Sequence, residues 1–222
     1  MNDVIYYVQN GYHIVFFSII SHYMINDFRL NMYIFLKVFS INYYNSFKTL
    51  YPNPEYYKWK HMIRLTDTGH FANFLFYFYP NLLPISHNIL FVITTAYYIT
   101  RFFFNLKDLD DRDNKYIDTN IQNIYCHLNH TVPYTIILYS IYENKKNNIY
   151  IYIFDENSFF YSLVWVLSWF TFIYLPWVYY TGDYVYSVLD KKTPTRIRVF
   201  IIFMVILLVK IANEFGKLIN II

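Results

Sequence analysis

Long apolar runs, broken by short polar and charged stretches, set the pattern of this chain. Two runs, at 158–180 and 197–218, are nearly uninterrupted. A third, at 85–104, has the ~20-residue length that a bilayer's hydrocarbon core requires of a helix. Three weaker runs carry polar residues inside them. Segment 4–25 contains His13 and His22, and segment 62–83 contains Thr66-Asp67-Thr68-Gly69-His70. Segment 126–142 opens on His127-Leu128-Asn129-His130-Thr131-Val132-Pro133. The pattern predicts an all-α fold, a polytopic bundle of about six transmembrane helices forming a single integral membrane domain over 1–222.

The connections fit that reading. A Pro52-Asn53-Pro54 turn and scattered lysines mark 26–61, and Pro80 and Pro84 bracket a tight turn or a kink. The stretch 105–125 is charged, 143–157 contains Lys145-Lys146, and Pro194 precedes the last helix. Basic residues are denser after the first, third and fifth runs (Lys37, Lys48, Lys58, Lys60; Lys107, Arg112, Lys115; Lys191, Lys192, Arg196). The positive-inside rule would put those loops in the cytosol, whereas Lys145 and Lys146 argue the other way. Orientation stays open.

Composition sharpens the class. Hydrophobic residues make up 56 % and charged residues 15 % of the 222 residues, against about 25 % charged in an ordinary soluble domain. Tyr, Phe, Ile, Asn and Lys share AT-rich codons, so the aromatic content is not read as a stacking surface. The net charge of +3 is dispersed, with no nucleic-acid footprint. Cys126 is the single cysteine, which excludes an intramolecular disulfide and a CxxC metal site. The N-terminus lacks the basic region and cleavage site of a signal peptide, so the first apolar segment is expected to remain as a span.

Ionisable groups are expensive in lipid, and inside spans they usually face the bundle interior and act there. On a helix, Thr66, His70 and Asn73 share one face, with Asp67 beside it. His127 and His130 share a face of another helix, with Thr131 and Tyr134 adjacent. Facing each other, a threonine hydroxyl and an imidazole could form a nucleophile and its base, attacking an acyl carbonyl. Asn73, Asn129 or a second histidine could donate to the oxyanion. The same residues also have structural uses. A membrane threonine can bond its own i−4 carbonyl, and Asn and His often link helices. His13, His22, His61 and His87 are expected to be interfacial or structural. Asn129-His130-Thr131 matches a glycosylation sequon at a helix start, a poor acceptor. Gly-rich nucleotide loops, HExxH and GxSxG are absent.

Several motifs, in order, resemble one family. Trp59-Lys60 and Leu65-Thr66 head the second run, and His127-x-x-His130-Thr131 heads the fourth. Then come Tyr180-Thr181-Gly182-Asp183-Tyr184-Val185-Tyr186-Ser187-Val188-Leu189, Pro194-x-Arg196 and Glu214-Phe215-Gly216-x-x-x-Asn220. This series is similar to the androgen-induced-gene family of six-span membrane threonine hydrolases, which includes the androgen-dependent TFPI-regulating protein. Members cleave fatty acid esters of hydroxy fatty acids. The resemblance implies Thr66 as nucleophile and His130 as catalytic base, and His127 matches a further family histidine; His70, Asn73 and Asn129 are supporting candidates from the helical faces alone. Thr68 is a rival hydroxyl.

The expected function is therefore an integral membrane lipid ester hydrolase needing no metal and no organic cofactor. Its partners would be a lipid ester substrate and membrane lipids, not nucleic acid. The resemblance implies the endoplasmic reticulum or plasma membrane. Two other readings stand beside it: a non-catalytic hydrophobic subunit of an organellar respiratory complex, and a metal- or haem-binding protein using His70, His127 and His130.

Overall fold

The computed structural model describes residues 63–103, 119–147 and 152–221, with isolated positions 31 and 34. The expected span 4–25, the Trp59-Lys60 pair, His13, His22 and His61 lie outside the described residues. The helices below belong to one compact unit, Ile63–Ile222. Among the described residues there is helix and turn but no strand, as expected of an all-α protein.

Helix α1 (Leu65–Phe78) is followed by a 3₁₀ turn (Pro80–Leu82) and α2 (Leu83–Phe103). Pro80 cannot continue α1, while Pro84, in the first turn of α2, lacks only a donor that would be orphaned there anyway. The two prolines thus make a tight helical hairpin. Its antiparallel register is fixed by Ser86 Oγ donating to the Ala72 carbonyl at 2.9 Å. One turn further from the bend, Gly69 lies against Ile89, Leu90 and Ile93, and a β-carbon there would collide with Ile93 Cδ1. A small residue lets the two backbones approach closely.

Helix α3 (Thr119–Lys146) runs antiparallel to α2, with contacts from His87–Tyr134 at one end to Tyr97–His127 at the other. Next comes a nearly continuous rod: α4 (Glu156–Trp169), a π turn (Phe170–Tyr174) and α5 (Leu175–Thr181). Asp155 caps its start by accepting from the Ser158 amide at 2.8 Å. The π turn precedes Pro176, whose missing N–H already interrupts the ladder. Gly182 ends the rod with φ +70°, the left-handed conformation glycine favours, its amide donating to the Val178 carbonyl. Pro194 then leads into α6 (Thr195–Ile221).

Three of these helical segments are long and apolar enough to cross a membrane: Pro80–Phe102, Glu156–Thr181 and Thr195–Ile219. Helix α1 has 14 residues, about 21 Å at 1.5 Å per residue, and α3 is more polar; neither is among the three. Polarity in the unit is inverted relative to a soluble protein. Phe172 is 76 % and Tyr179 83 % exposed, and many other large apolar side chains point outward. Meanwhile Ser86, His87, Asn88, Ser162 and Asn213 are wholly buried. This is an all-α membrane protein.

The buried polar groups knit the bundle. Asn88 Nδ2 donates to Ser162 Oγ on α4 and to Asn213 Oδ1 on α6, both at 3.0 Å. Its carboxamide oxygen therefore accepts from His87 Nδ1–H at 3.2 Å, leaving His87 Nε2 to accept from the Tyr134 hydroxyl of α3 at 3.1 Å. One chain of bonds ties α2, α3, α4 and α6. Each buried partner left unpaired would cost ~1–3 kcal/mol. His87 is thus structural and fully internal rather than interfacial. On the outside, Lys210 meets Glu156 at 3.0 Å and Lys217 meets Glu214 at 2.9 Å. These charges put the start of α4 and the C-terminal part of α6 at the same end of the bundle.

Candidate active site

The head of α1 is unusually well held. Arg64 is extended, and Asp67, three residues on, accepts from the Arg64 amide at 3.2 Å. The Leu65 amide donates to the Tyr186 hydroxyl at 2.9 Å, and Trp169 Nε1–H donates to the Ile63 carbonyl at 2.8 Å. Thr66 is the second residue of this pinned turn, buried at the positive end of the helix dipole.

Pro133 shapes the opposing helix. A proline inside a helix supplies no N–H to the carbonyl four residues earlier, here Asn129. His70 Nε2–H of α1 donates to that carbonyl at 2.9 Å. The break in one helix thereby becomes a clamp between two. It sits one turn from Thr66 and one residue from His130.

Beside this clamp, Thr66 Oγ1 lies 3.3 Å from His130 Nε2. The tautomer follows from the other ring nitrogen. His130 Nδ1 is 2.7 Å from the Cys126 carbonyl, which can only accept, so Nδ1 carries the proton. In the neutral ring Nε2 then presents a lone pair, and the threonine hydroxyl donates to it. At 3.3 Å the contact is within hydrogen-bonding reach but longer than a short O–H···N bond. The Tyr97 ring stacks on the His130 ring at 4.0 Å and 7°, and Thr94 Oγ1 donates to the His130 carbonyl at 2.5 Å.

The remaining candidates separate cleanly. Thr68, the rival hydroxyl, donates to the Leu65 carbonyl of its own helix at 2.9 Å. Asp67 is a helix cap, and His70 is the clamp just described. Asn129 is buried beside His130, and its side-chain oxygen has no hydrogen-bond partner among the described residues. Asn73 is buried on α1 but makes no hydrogen bond to the pair among the described residues. His127 turns toward α2, its Nδ1 3.5 Å from the Tyr97 hydroxyl, and Thr131 shares a 2.7 Å hydrogen bond with Tyr98. Tyr134 belongs to the His87 network. No three His, Cys, Asp or Glu side chains among the described residues converge as metal ligands.

Tyr186, Trp169, Thr94 and Tyr97 escaped the reading of the sequence as site residues. Tyr186 had a signal, since it lies within the quoted 180–189 motif. The Asn129 carbonyl also had one, because Pro133 names it as the acceptor in need of a donor.

Fold and geometry together define a class: an all-α membrane protein with a buried threonine–histidine pair at a helix N-terminus. No family model matches the chain, and neither does any curated protein or solved structure.

Proposed function

We propose that this protein is a membrane-embedded lipid ester hydrolase with Thr66 as nucleophile and His130 as general base. The observation that carries the reading is the hydroxyl-to-imidazole contact, with the tautomer set by the Cys126 carbonyl. His130 Nε2 takes the hydroxyl proton as Oγ1 attacks the ester carbonyl. The imidazolium keeps its Nδ1–H bond to Cys126. The oxyanion forms at the positive end of α1, where the helix dipole favours negative charge. Collapse of the tetrahedral intermediate expels the alcohol, which receives the proton from Nε2–H. Water, activated in turn by His130, releases the fatty acid and restores Thr66.

The substrate class follows from surroundings and resemblance. Apolar, outward-facing helices put the site within reach of bilayer-borne chains, so a long-chain lipid ester fits better than a soluble one. The motif series extends this to fatty acid esters of hydroxy fatty acids, to six spans, and to the endoplasmic reticulum or plasma membrane.

Purified protein in lipid nanodiscs is expected to release free fatty acid from such esters, measured by mass spectrometry of the lipids. Short water-soluble esters should be poorer substrates. Homogeneous, folded protein that releases no fatty acid from any long-chain ester contradicts the reading.

A further inference from the structure

A hydrogen bond at Nδ1 fixes one atom of the His130 imidazole but not the tilt of its plane. Something must hold the ring plane if Nε2 is to face Thr66. The Tyr97 ring lies parallel over the His130 ring, 4.0 Å between centroids and 7° between planes. Its contacts fix Tyr97 in turn. Arg101 Nη1 donates to the Tyr97 hydroxyl at 3.3 Å, and the guanidinium sits 5.8 Å from the ring centroid. An arginine can only donate, which leaves the phenol proton available, and His127 Nδ1 lies 3.5 Å from the hydroxyl. The His127 ring stands edge-on to Tyr97 at 5.6 Å and 86°. Thr94 on the His130 carbonyl and Tyr98 on Thr131 lock α2 against α3 on either side.

We infer that Tyr97 is a positioning residue for His130, and that His127 and Arg101 act by holding Tyr97 in place. The inference rests on the ester-hydrolase reading above. It gives the His127-x-x-His130 pair a division of labour: one imidazole faces the nucleophile, and the other holds the ring that stacks on it. Tyr97 acts through the base.

Misplacing a catalytic group by ~1 Å can cost ~10²-fold in rate. Tyr97→Leu is therefore expected to lower kcat on a long-chain ester by ~10²-fold with KM little changed, because substrate binding is untouched. Tyr97→Phe keeps the stacked ring but loses the hydroxyl that Arg101 and His127 hold, and should recover only part of that loss. The second readout is independent of turnover: histidine-labelled protein followed by NMR, with His130 assigned by the signals lost in His130→Gln. Removing the stacked ring in Tyr97→Leu should move the His130 ring-proton signals downfield, and Tyr97→Phe should leave them in place. If Tyr97→Leu fails to insert, Tyr97→Met keeps the volume without a π face and is read in the same way. Wild-type kcat in the ring-deleted variant, equal damage in Tyr97→Phe, or unmoved His130 signals would overturn the proposal. If wild-type protein hydrolyses no ester, the hydrolase reading fails, and the NMR comparison still decides whether the Tyr97 ring stacks on His130.

Discussion

Thr66→Ala is expected to reduce hydrolysis of a long-chain ester by on the order of 10³-fold or more, as loss of a nucleophile does elsewhere. The cause is chemical rather than structural. The lost side chain holds one hydrogen bond, to His130, worth only ~1 kcal/mol in a folded protein. Alanine is also a better helix former than threonine. The clamps that hold the helix head, from Asp67, Tyr186 and Trp169, do not involve the Thr66 side chain. Folded yield and thermal stability should therefore stay close to wild type while turnover vanishes. Thr68→Ala is the matched control. Its hydroxyl serves its own helix, so activity should survive. An active Thr66→Ala protein, or an inactive Thr68→Ala protein of normal stability, would move the nucleophile elsewhere.

His130→Gln is expected to have a comparable effect, since a positioned general base contributes ~10²–10⁴-fold. Glutamine keeps much of the volume and can still donate, but it has no basic lone pair for the Thr66 proton. The informative measurement is the double variant. Residues acting as one unit are strongly non-additive, so Thr66→Ala/His130→Gln should be no slower than Thr66→Ala alone. A further large drop in the double variant would show that the two residues contribute separately, against a shared proton transfer. Steady-state kinetics on the four proteins resolves this.

Much of the architecture is legible in the sequence, for identifiable reasons. Proline punctuation is local: Pro80 ends α1, Pro84 starts α2 and Pro194 precedes α6. Apolar runs of bilayer length become helices whatever their neighbours do. The pairing of Thr66 with His130 is legible only through the ordered motifs, because helical spacing alone leaves Thr66 and Thr68 both open. What separates them is whether a hydroxyl looks across at α3 or back at its own carbonyl, and that depends on how the helices pack. Membrane helices blunt the usual signal, since lipid-facing and core-facing positions are both apolar. The stacking of Tyr97 on His130 was hidden for this reason, in a chain where tyrosine is abundant. So was the reach of Tyr186 to the head of α1, 121 residues away in sequence. The π turn before Pro176 could be anticipated only as an interruption, not as a type. His70 is the instructive case. Helical spacing groups it with Thr66, and its partner is a backbone carbonyl, freed by a proline on another helix.

These relations also explain why the site lies in the less apolar part of the chain. A hydroxyl, two imidazoles and a released carbonyl need one another as partners, and α1 and α3 supply them in two adjacent contacts, Thr66–His130 and His70–Asn129. The three long apolar helical segments supply the lipid-facing body. The polar pairings and the long apolar segments fall in different parts of the fold, with α2 contributing to both.

A nucleophilic Thr66 must become acylated during turnover. An activated long-chain ester makes acylation fast and should let the covalent intermediate accumulate. The decisive measurement is peptide mass spectrometry of protein quenched in acid during turnover of a long-chain p-nitrophenyl ester. One acyl group is expected, on the peptide containing Thr66 and assigned to Thr66 by fragmentation, and none in Thr66→Ala. Acylation of Thr68 or any other residue in its place, or turnover without an acyl-protein, would contradict it.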